Sequence, residues 1–264
     1  MTAQDFWREG RLAEAIEAQI GEVKANPLDV DRRYFLFALF AFSGNLERAA
    51  KQLDALGTSD QKLAAGTIPY HNLLAAEADR RRVLAGEADA LIPDDAPESL
   101  RRRARAFRGD RWTRAELEAI EALETATSGT CDGDEFRQIH DTDEALGPTV
   151  EMFAGGRWLL LPFGKIRSLS IREPRHVLDL LWVPASLEDR DGVHADVHLP
   201  VLYPASASAD DDGLRLGRGT EWVERDGVTR GVGQRVWCVD AGAGDADDDR
   251  ALLAIRELEL ADRE

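Results

Sequence analysis

The chain has 264 residues, 44% of them apolar and 31% charged, which supplies core material for one large domain or two ordinary ones and excludes global disorder. The net charge is −17, from 22 acidic against 18 basic residues in 1–130 and 28 against 15 in 131–264, and a field of that sign repels nucleic acid and anionic lipid. The opening MTAQDFWREG has no basic segment followed by an apolar one, and runs such as Trp158–Phe163 are far too short to span a bilayer, so a cytoplasmic protein without leader or membrane span is expected.

Along the chain, Gly10-Arg-Leu12-Ala-Glu-Ala15 is echoed by Gly44-Asn-Leu46-Glu-Arg-Ala49 at an offset of 34 residues, the period of tetratricopeptide-like (TPR-like) helical hairpins. Gly10 and Gly44 are read as small residues that let paired helices approach, with Ala15 and Ala49 at the crossings. Leu12, Ile16, Ile20 and Val23 form one helical face, and Pro27 ends the first unit. Residues 34–42 are apolar nearly all round and predict a buried helix. Leu46, Ala49, Ala50, Leu53 and Leu56 make the next stripe. Further helices are expected over His71–Leu84, around Glu98–Phe107 and over Thr113–Thr125, the last with a capping box from Thr113 to Glu116.

Past Ser128-Gly129 the pattern changes to short runs of Val, Leu and Trp broken by Gly and Pro. Thr149–Ala154 and Arg157–Phe163 around Gly155-Gly156 predict a hairpin. Trp222–Arg225 and Val228 onward, around Asp226-Gly227, predict a second. Strands are expected over Gln234–Val239 and Ala251–Leu260, the last with some helical character, and strand or short-helix segments over Ile166–Ile171 and Leu178–Trp182. The fold class is therefore α+β: a TPR-like α-helical region over residues 1–128, then a strand-rich domain with mostly antiparallel sheet over 129–264.

None of the candidate chemical motifs is complete. His194, Asp196 and His198 alternate with apolar residues on a strand, where the two histidines lie about 13 Å apart and cannot share one metal ion. Asp245-Ala-Asp247-Asp-Asp249 lacks the Gly and bidentate Glu of a calcium loop and, like Asp210–Asp212, is read as an acidic solvent loop. Cys131 and Cys238 have no metal or redox spacing and are read as free thiols. Cys131 and His140-Asp141 are separated by residues read as polar loop, so they make no nucleophile and base. Gly231-Val-Gly233 lacks the third glycine and the helix of a dinucleotide loop. Arg80–Arg82 and Arg101–Arg103, with Arg105, Arg108, Arg111 and Arg114, are spread around their helices and read as an ion-paired surface, with contact to an acidic partner, the chain's own C-terminal half among the candidates, as the other reading. Thr220-Glu221-Trp222 is read as a rigid turn around a buried tryptophan. What remains is a groove between stacked helix pairs, able to take an amphipathic helix; Phe35, Leu36, Phe37, Leu39, Phe40 and Phe42 are its candidate lining.

Several ordered motifs resemble the ImpE/TagJ family of type VI secretion accessory proteins over residues 6–260. The N-terminal likeness rests on the two repeat motifs and on Arg33-Tyr-Phe-Leu-Phe-Ala-Leu39. The C-terminal likeness rests on Asp141-Thr-Asp143 leading to Leu146-Gly147-Pro148, then Glu151, Trp158 to Pro162-Phe163, Asp179 to Trp182-Val-Pro184, Tyr203-Pro204-Ala-Ser206 with Ala205 in place of the family's Gly, Gly217-Arg218, Thr220-Glu221-Trp222 and Gly233-Gln234-Arg235. The resemblance implies a non-catalytic adaptor with neither cofactor nor metal. It also implies binding to the N-terminal helix of the small sheath subunit, and through it a link to the AAA+ ATPase that disassembles contracted sheath. Two other readings are kept: a hydrolase or metal-dependent enzyme using Asp141, Asp143, Glu151 and Glu221, and a general repeat chaperone.

Overall fold

The computed structural model describes residues 1–58, 61–242 and 249–261. Five helices open the chain: α1 (Ala3–Glu9), α2 (Leu12–Ala25), α3 (Val30–Phe42), α4 (Leu46–Gly57) and α5 (Gln61–Leu84), each packed on the next. The 34-residue repeat is a repeated helix cap. Gly10 and Gly44 sit at φ 82° and 74°, and the amide that follows each reaches back to a carbonyl of the preceding helix, Arg11 to Phe6 and Asn45 to Phe40, both at 2.9 Å. Only glycine holds that left-handed position cheaply. The two glycines thus terminate α1 and α3, which corrects the expectation that they ease close helix approach; Ala15 and Ala49 are fully buried. Helix α5 starts ten residues before the expected His71 and runs through Pro69.

Two more helices, α6 (Glu98–Phe107) and α7 (Arg114–Glu121), follow a connector. Thr113 caps α7 by accepting from the Glu116 amide at 3.2 Å. The Glu116 carboxylate lies 3.5 Å from Arg102 rather than closing the box.

The second half is built from strands β1 (Gly129–Cys131), β2 (Asp134–Phe136), β3 (Gln138–Asp141), β4 (Thr149–Ala154), β5 (Arg157–Pro162), β6 (Ile166–Ile171), β7 (Trp182–Asp189), β8 (His194–Pro200), β9 (Thr220–Arg225), β10 (Val228–Gly233), β11 (Val236–Asp240), β12 (Asp249–Ala251) and β13 (Glu257–Leu260), with a short helix α8 (Asp212–Arg215) before β9. Eight strands form one antiparallel sheet in the order β2-β1-β13-β6-β7-β8-β4-β5; β12-β11-β3 and β10-β9 form two small antiparallel sheets. Both expected hairpins are present, with positive φ at Gly155, Gly156, Asp226 and Gly227 in the turns. Residues 251–260 split into the end of β12, a 3-10 turn and β13, with no α-helix. The stretch read as polar loop between Cys131 and His140 is instead three strands. There, a Cβ on Gly129 would lie 2.0 Å from the Glu259 carbonyl oxygen, so only glycine fits. The acidic loop residues 245–248 lie outside the described residues.

Helix α5 lies against β4 and β5, which is why β4 is buried over nearly its whole length. The connector after α5 joins the same edge: the Leu160 amide donates to the Leu91 carbonyl at 3.0 Å, covering backbone that an edge strand would leave open. One apolar cluster runs from α2–α4 through α5 into the sheet.

The C-terminal half also caps the N-terminal helices. Arg11, at the N-cap of α2, offers no side-chain cap. Asp212 of α8 supplies it, accepting from the Leu12 and Ala13 amides at 2.7 and 3.4 Å. Arg218 donates to the carbonyls of Arg8, at 2.9 Å, and Trp7 at the end of α1. Asp212, expected in a solvent loop, is therefore a helix cap delivered across the fold. An N-cap acceptor contributes about 1 kcal/mol, so Asp212→Ala should lower unfolding stability in urea by about that amount, and Asp212→Asn, which keeps an acceptor, by less.

Candidate functional site

The family-like motifs converge on a buried ionic spine. Alternation along β4 turns Glu151 towards α5, and Arg80 meets it with two hydrogen bonds, Nε to Oε1 at 2.8 Å and Nη2 to Oε2 at 2.9 Å. The Trp158 indole donates to Oε1 at 2.8 Å, and Arg235, just before β11, donates to Oε2. Arg235 continues to Asp141 Oδ2 at 2.6 Å and the Pro200 carbonyl at 3.0 Å. The other Asp141 oxygen accepts from the Tyr203 hydroxyl and the Asp143 amide, both at 2.9 Å. Asp143 accepts from Arg230 Nε at 3.1 Å and from the amides of Gly231 and Ala145 at 3.0 Å. Arg230 ends on Asp110 at 2.5 Å.

Arg80, Asp141, Asp143, Glu151 and Arg235 are all buried, where an unpaired charge would be prohibitive. Burial drives the Glu151 carboxyl upward, but Arg80 and Arg235 together outweigh it and hold the group below its ordinary value. Asp141 faces one arginine and a second carboxylate; burial pushes it up to about 6, with Arg235 opposing and Asp143 adding to the rise. Burial and the Asp141 charge raise the Tyr203 phenol, which stays a donor.

Among the described residues, every oxygen of these three carboxylates accepts at least one hydrogen bond from an arginine, a backbone amide, an indole or a phenol of the chain itself. Glu221, the fourth residue of the enzyme reading, lies on exposed β9, and among the described residues no hydrogen bond or ion pair joins it to the other three. No cluster of three or more metal-ligating side chains occurs among the described residues. His194, Asp196 and His198 lie on β8; Asp196 accepts from Ser186 and Arg172 at 2.9 and 3.2 Å. Cys131 and Cys238 are buried and are not joined in a disulfide. Cys131 stands in the large sheet, and His140 in the β12-β11-β3 sheet. Gly231-Val-Gly233 is strand β10: a Cβ on Gly231 would meet the Tyr203 ring at 2.3 Å, and one on Gly233 the Gly219 carbonyl oxygen at 2.1 Å.

Two arginines read as surface are core residues. Arg80 belongs to the spine. Arg103 is 1% exposed; it grips Glu124 at 2.6 and 2.9 Å and the carbonyls of Glu144 and Ala145 at 2.7 and 2.9 Å. Its guanidinium fills the space a side chain at Gly147 would need. Glu151 and the carbonyls of Glu144 and Ala145 belong to the chain's own C-terminal half, whereas Glu124 belongs to the helical half. Leu146 and Phe163 are buried, Phe163 edge-on to Trp237 at 5.1 Å, and Trp182 packs on Phe153 at 6.5 Å. Pro148 follows Gly147, Pro162 closes β5, Pro204 opens a 3-10 turn, and the Thr220 hydroxyl donates to the Gln234 carbonyl at 2.6 Å. Trp222 is not buried: it lies on β9, 42% exposed, touching the edge of Tyr203.

The open recess of the helical half lies between α2, α3 and α4, a groove of about 550 Å³ lined by Ile20, Val23, Lys24, Leu36, Phe40, Asn45, Glu47, Arg48, Lys51 and Gln52. Of the six apolar residues expected to line it, Leu36 and Phe40 do, though both are themselves buried core residues, with the Arg48 guanidinium 4.1 Å over the Phe40 ring. Phe37, Leu39 and Phe42 are core, Phe37 against Tyr34 and Tyr70, Phe42 against Trp7. Phe35 packs edge-on to Trp7. A helix apolar all round gives its neighbours every face, so its own sequence cannot mark the one left open. The usable signal was on the flanking helices, in the i, i+3, i+4 set Ile20, Val23, Lys24 and in Arg48 with Lys51 and Gln52.

The type VI secretion system accessory component TagJ of Pseudomonas aeruginosa is 33% identical to the chain, over 98% of this chain and 91% of that protein. The chain belongs to the ImpE/TagJ family. The model of the ImpE protein family matches residues 133–259, from β2 to β13, a span that holds Asp141, Asp143, Glu151, Tyr203 and Arg235. The X-ray crystal structure of protein VPA1032 from Vibrio parahaemolyticus has the same fold, with a TM-score of 0.87, 22% identity and coverage of 99% of this chain and 98% of that one. Among the described residues no helix is long and apolar enough to cross a membrane.

In this family member the spine's energetics rank its residues. Removing one partner of a buried pair costs about 3–5 kcal/mol, so Glu151→Gln should lower unfolding stability in that range. Arg235→Met, which takes from Asp141 its arginine and from Glu151 one of two, should cost more than Arg80→Met, and urea denaturation of the three variants reads the order.

Proposed function

We propose that the chain is a non-catalytic, cytoplasmic accessory component of a type VI secretion system, and that its α2–α3–α4 groove holds the N-terminal helix of the small sheath subunit. The observation that carries this reading is the groove itself. Its floor of Leu36, Phe40, Ile20 and Val23 suits the apolar face of an amphipathic helix. Its rim carries Lys24, Arg48 and Lys51, the last paired with Glu47 at 2.6 Å, on a protein of net charge −17, and the excess of positive charge favours a helix with acidic flanks and steers its approach. The name of the Pseudomonas aeruginosa relative supports the secretion role. A link to the AAA+ disassembly ATPase then runs through the bound sheath subunit. The spine supports an adaptor over an enzyme, because its carboxylates are committed to arginines.

Titration calorimetry with the small sheath subunit tests the reading. Binding is expected to vanish when that subunit lacks its N-terminal helix, and equal binding of both forms would sink helix recognition. The triple variant Lys24→Glu, Arg48→Glu, Lys51→Glu should weaken binding by about tenfold or more and leave the thermal midpoint little changed, since exposed charges contribute little to stability.

A further inference from the structure

The β9–β10 hairpin carries an unpaired edge. Arg225 and Val228 flank its two-residue turn and face each other, so in such a hairpin they form a hydrogen-bonded pair, and pairs alternate from there. Residues 221, 223 and 225 therefore point their backbone groups at β10, and Trp222 and Glu224 point theirs outward. The far side of β10 follows the same alternation, and each of its outward residues is bonded to the rest of the chain. Thr229 bonds Glu144, Gly231 donates to Asp143, and Gly233 donates to Ser206 and accepts from the Tyr203 amide. On the β9 side, among the described residues, no strand or side chain bonds the outward amides and carbonyls of Trp222 and Glu224, and residues 221–225 are all exposed. An open, partly apolar edge bearing Trp222 and Val223, 42% and 45% exposed, is a pairing template.

We propose that this edge pairs with the same edge of a second copy, giving a two-fold antiparallel dimer centred on Val223. Two constraints select the partner and the register. Outward-pointing residues must meet outward-pointing residues, which leaves dyads at Trp222, Val223 or Glu224. A dyad at Trp222 sets Glu221 against Val223, and one at Glu224 sets two Glu224 side chains face to face. Only the dyad at Val223 sets Glu221 against Arg225 of the second copy, twice, with Val223 on Val223 between them and Trp222 hydrogen-bonded to Glu224. In such non-hydrogen-bonded pairs the α-carbons approach to about 4.5 Å, within ion-pair reach. The segment Thr-Glu-Trp-Val-Glu-Arg is thus complementary to itself when reversed. The surface is separate from the α2–α3–α4 groove, so the dimer and the helix-binding reading stand or fall independently. A contact of this length falls below the roughly 1,000 Å² of a stable interface, so association is concentration-dependent.

Sedimentation equilibrium of the full chain up to millimolar concentration, at physiological salt, tests this. A monomer–dimer equilibrium is expected. Glu221→Arg alone and Arg225→Glu alone should each weaken it at least tenfold through like-charge contacts. An equimolar mixture of the two should restore association as a heterodimer, because both cross pairs then carry opposite charges. Glu224→Pro, which removes an outward amide and keeps the bonds to β10, should give a monomer. Circular dichroism of each variant checks that it is folded. A strictly monomeric parent chain, a dimer indifferent to the charge reversals, or a mixture that fails to associate would each overturn the proposal.

Discussion

Everything in the second half of this protein is arranged around one buried carboxylate that must not be left unpaired. Glu151 sits on a strand with its whole side chain out of water, and two guanidinium groups and an indole converge on it from α5, β11 and β5. The requirement propagates. Arg235, brought inside for Glu151, has a second face to satisfy, which draws in Asp141; Asp141 brings Tyr203, whose ring leaves room only for glycine at position 231. Asp143 and Arg230 extend the chain of charges to Asp110, between α6 and α7. Low dielectric makes each link strong and each missing partner costly.

The same network accounts for the relation of the two halves. Helix α5 is the last of the stacked hairpins, and it is also the helix that the sheet needs, because Arg80 reaches Glu151 and Asp79 accepts from Arg157 and the Trp158 amide at 2.9 and 3.2 Å. The contact is matched at the far end, where Asp212 and Arg218 cap α2 and α1. The first helical turns, where a solenoid would otherwise fray, are held by polar groups delivered from the sheet half.

A scaffold so committed internally leaves few surfaces for partners. The carboxylates that looked like a reactive cluster in the sequence are consumed in holding the fold, and the open features lie elsewhere: a basic-rimmed apolar groove on the helices and a bare strand edge on the protruding hairpin. Rigid helices around the groove suit recognition of another helix, since neither side then pays much to order itself.

The sequence by itself determined the local structure. The helices show in their apolar spacing, the 34-residue echo is a real repeat of the helical cap, and Gly155-Gly156 and Asp226-Gly227 marked the hairpins, because these features depend on bonds a few residues long. The motifs also located the residues that matter in the C-terminal half. Their roles were decided only by the tertiary structure. Asp141 and Glu151 read as chemistry, Arg80 and Arg103 as surface and Asp212 as solvent loop, because each finds its partner between about 20 and 200 residues away, and no local pattern records that distance. Charge type and spacing are written in the chain, but whether a charge is buried, and opposite what, is fixed only when the sheet folds against α5.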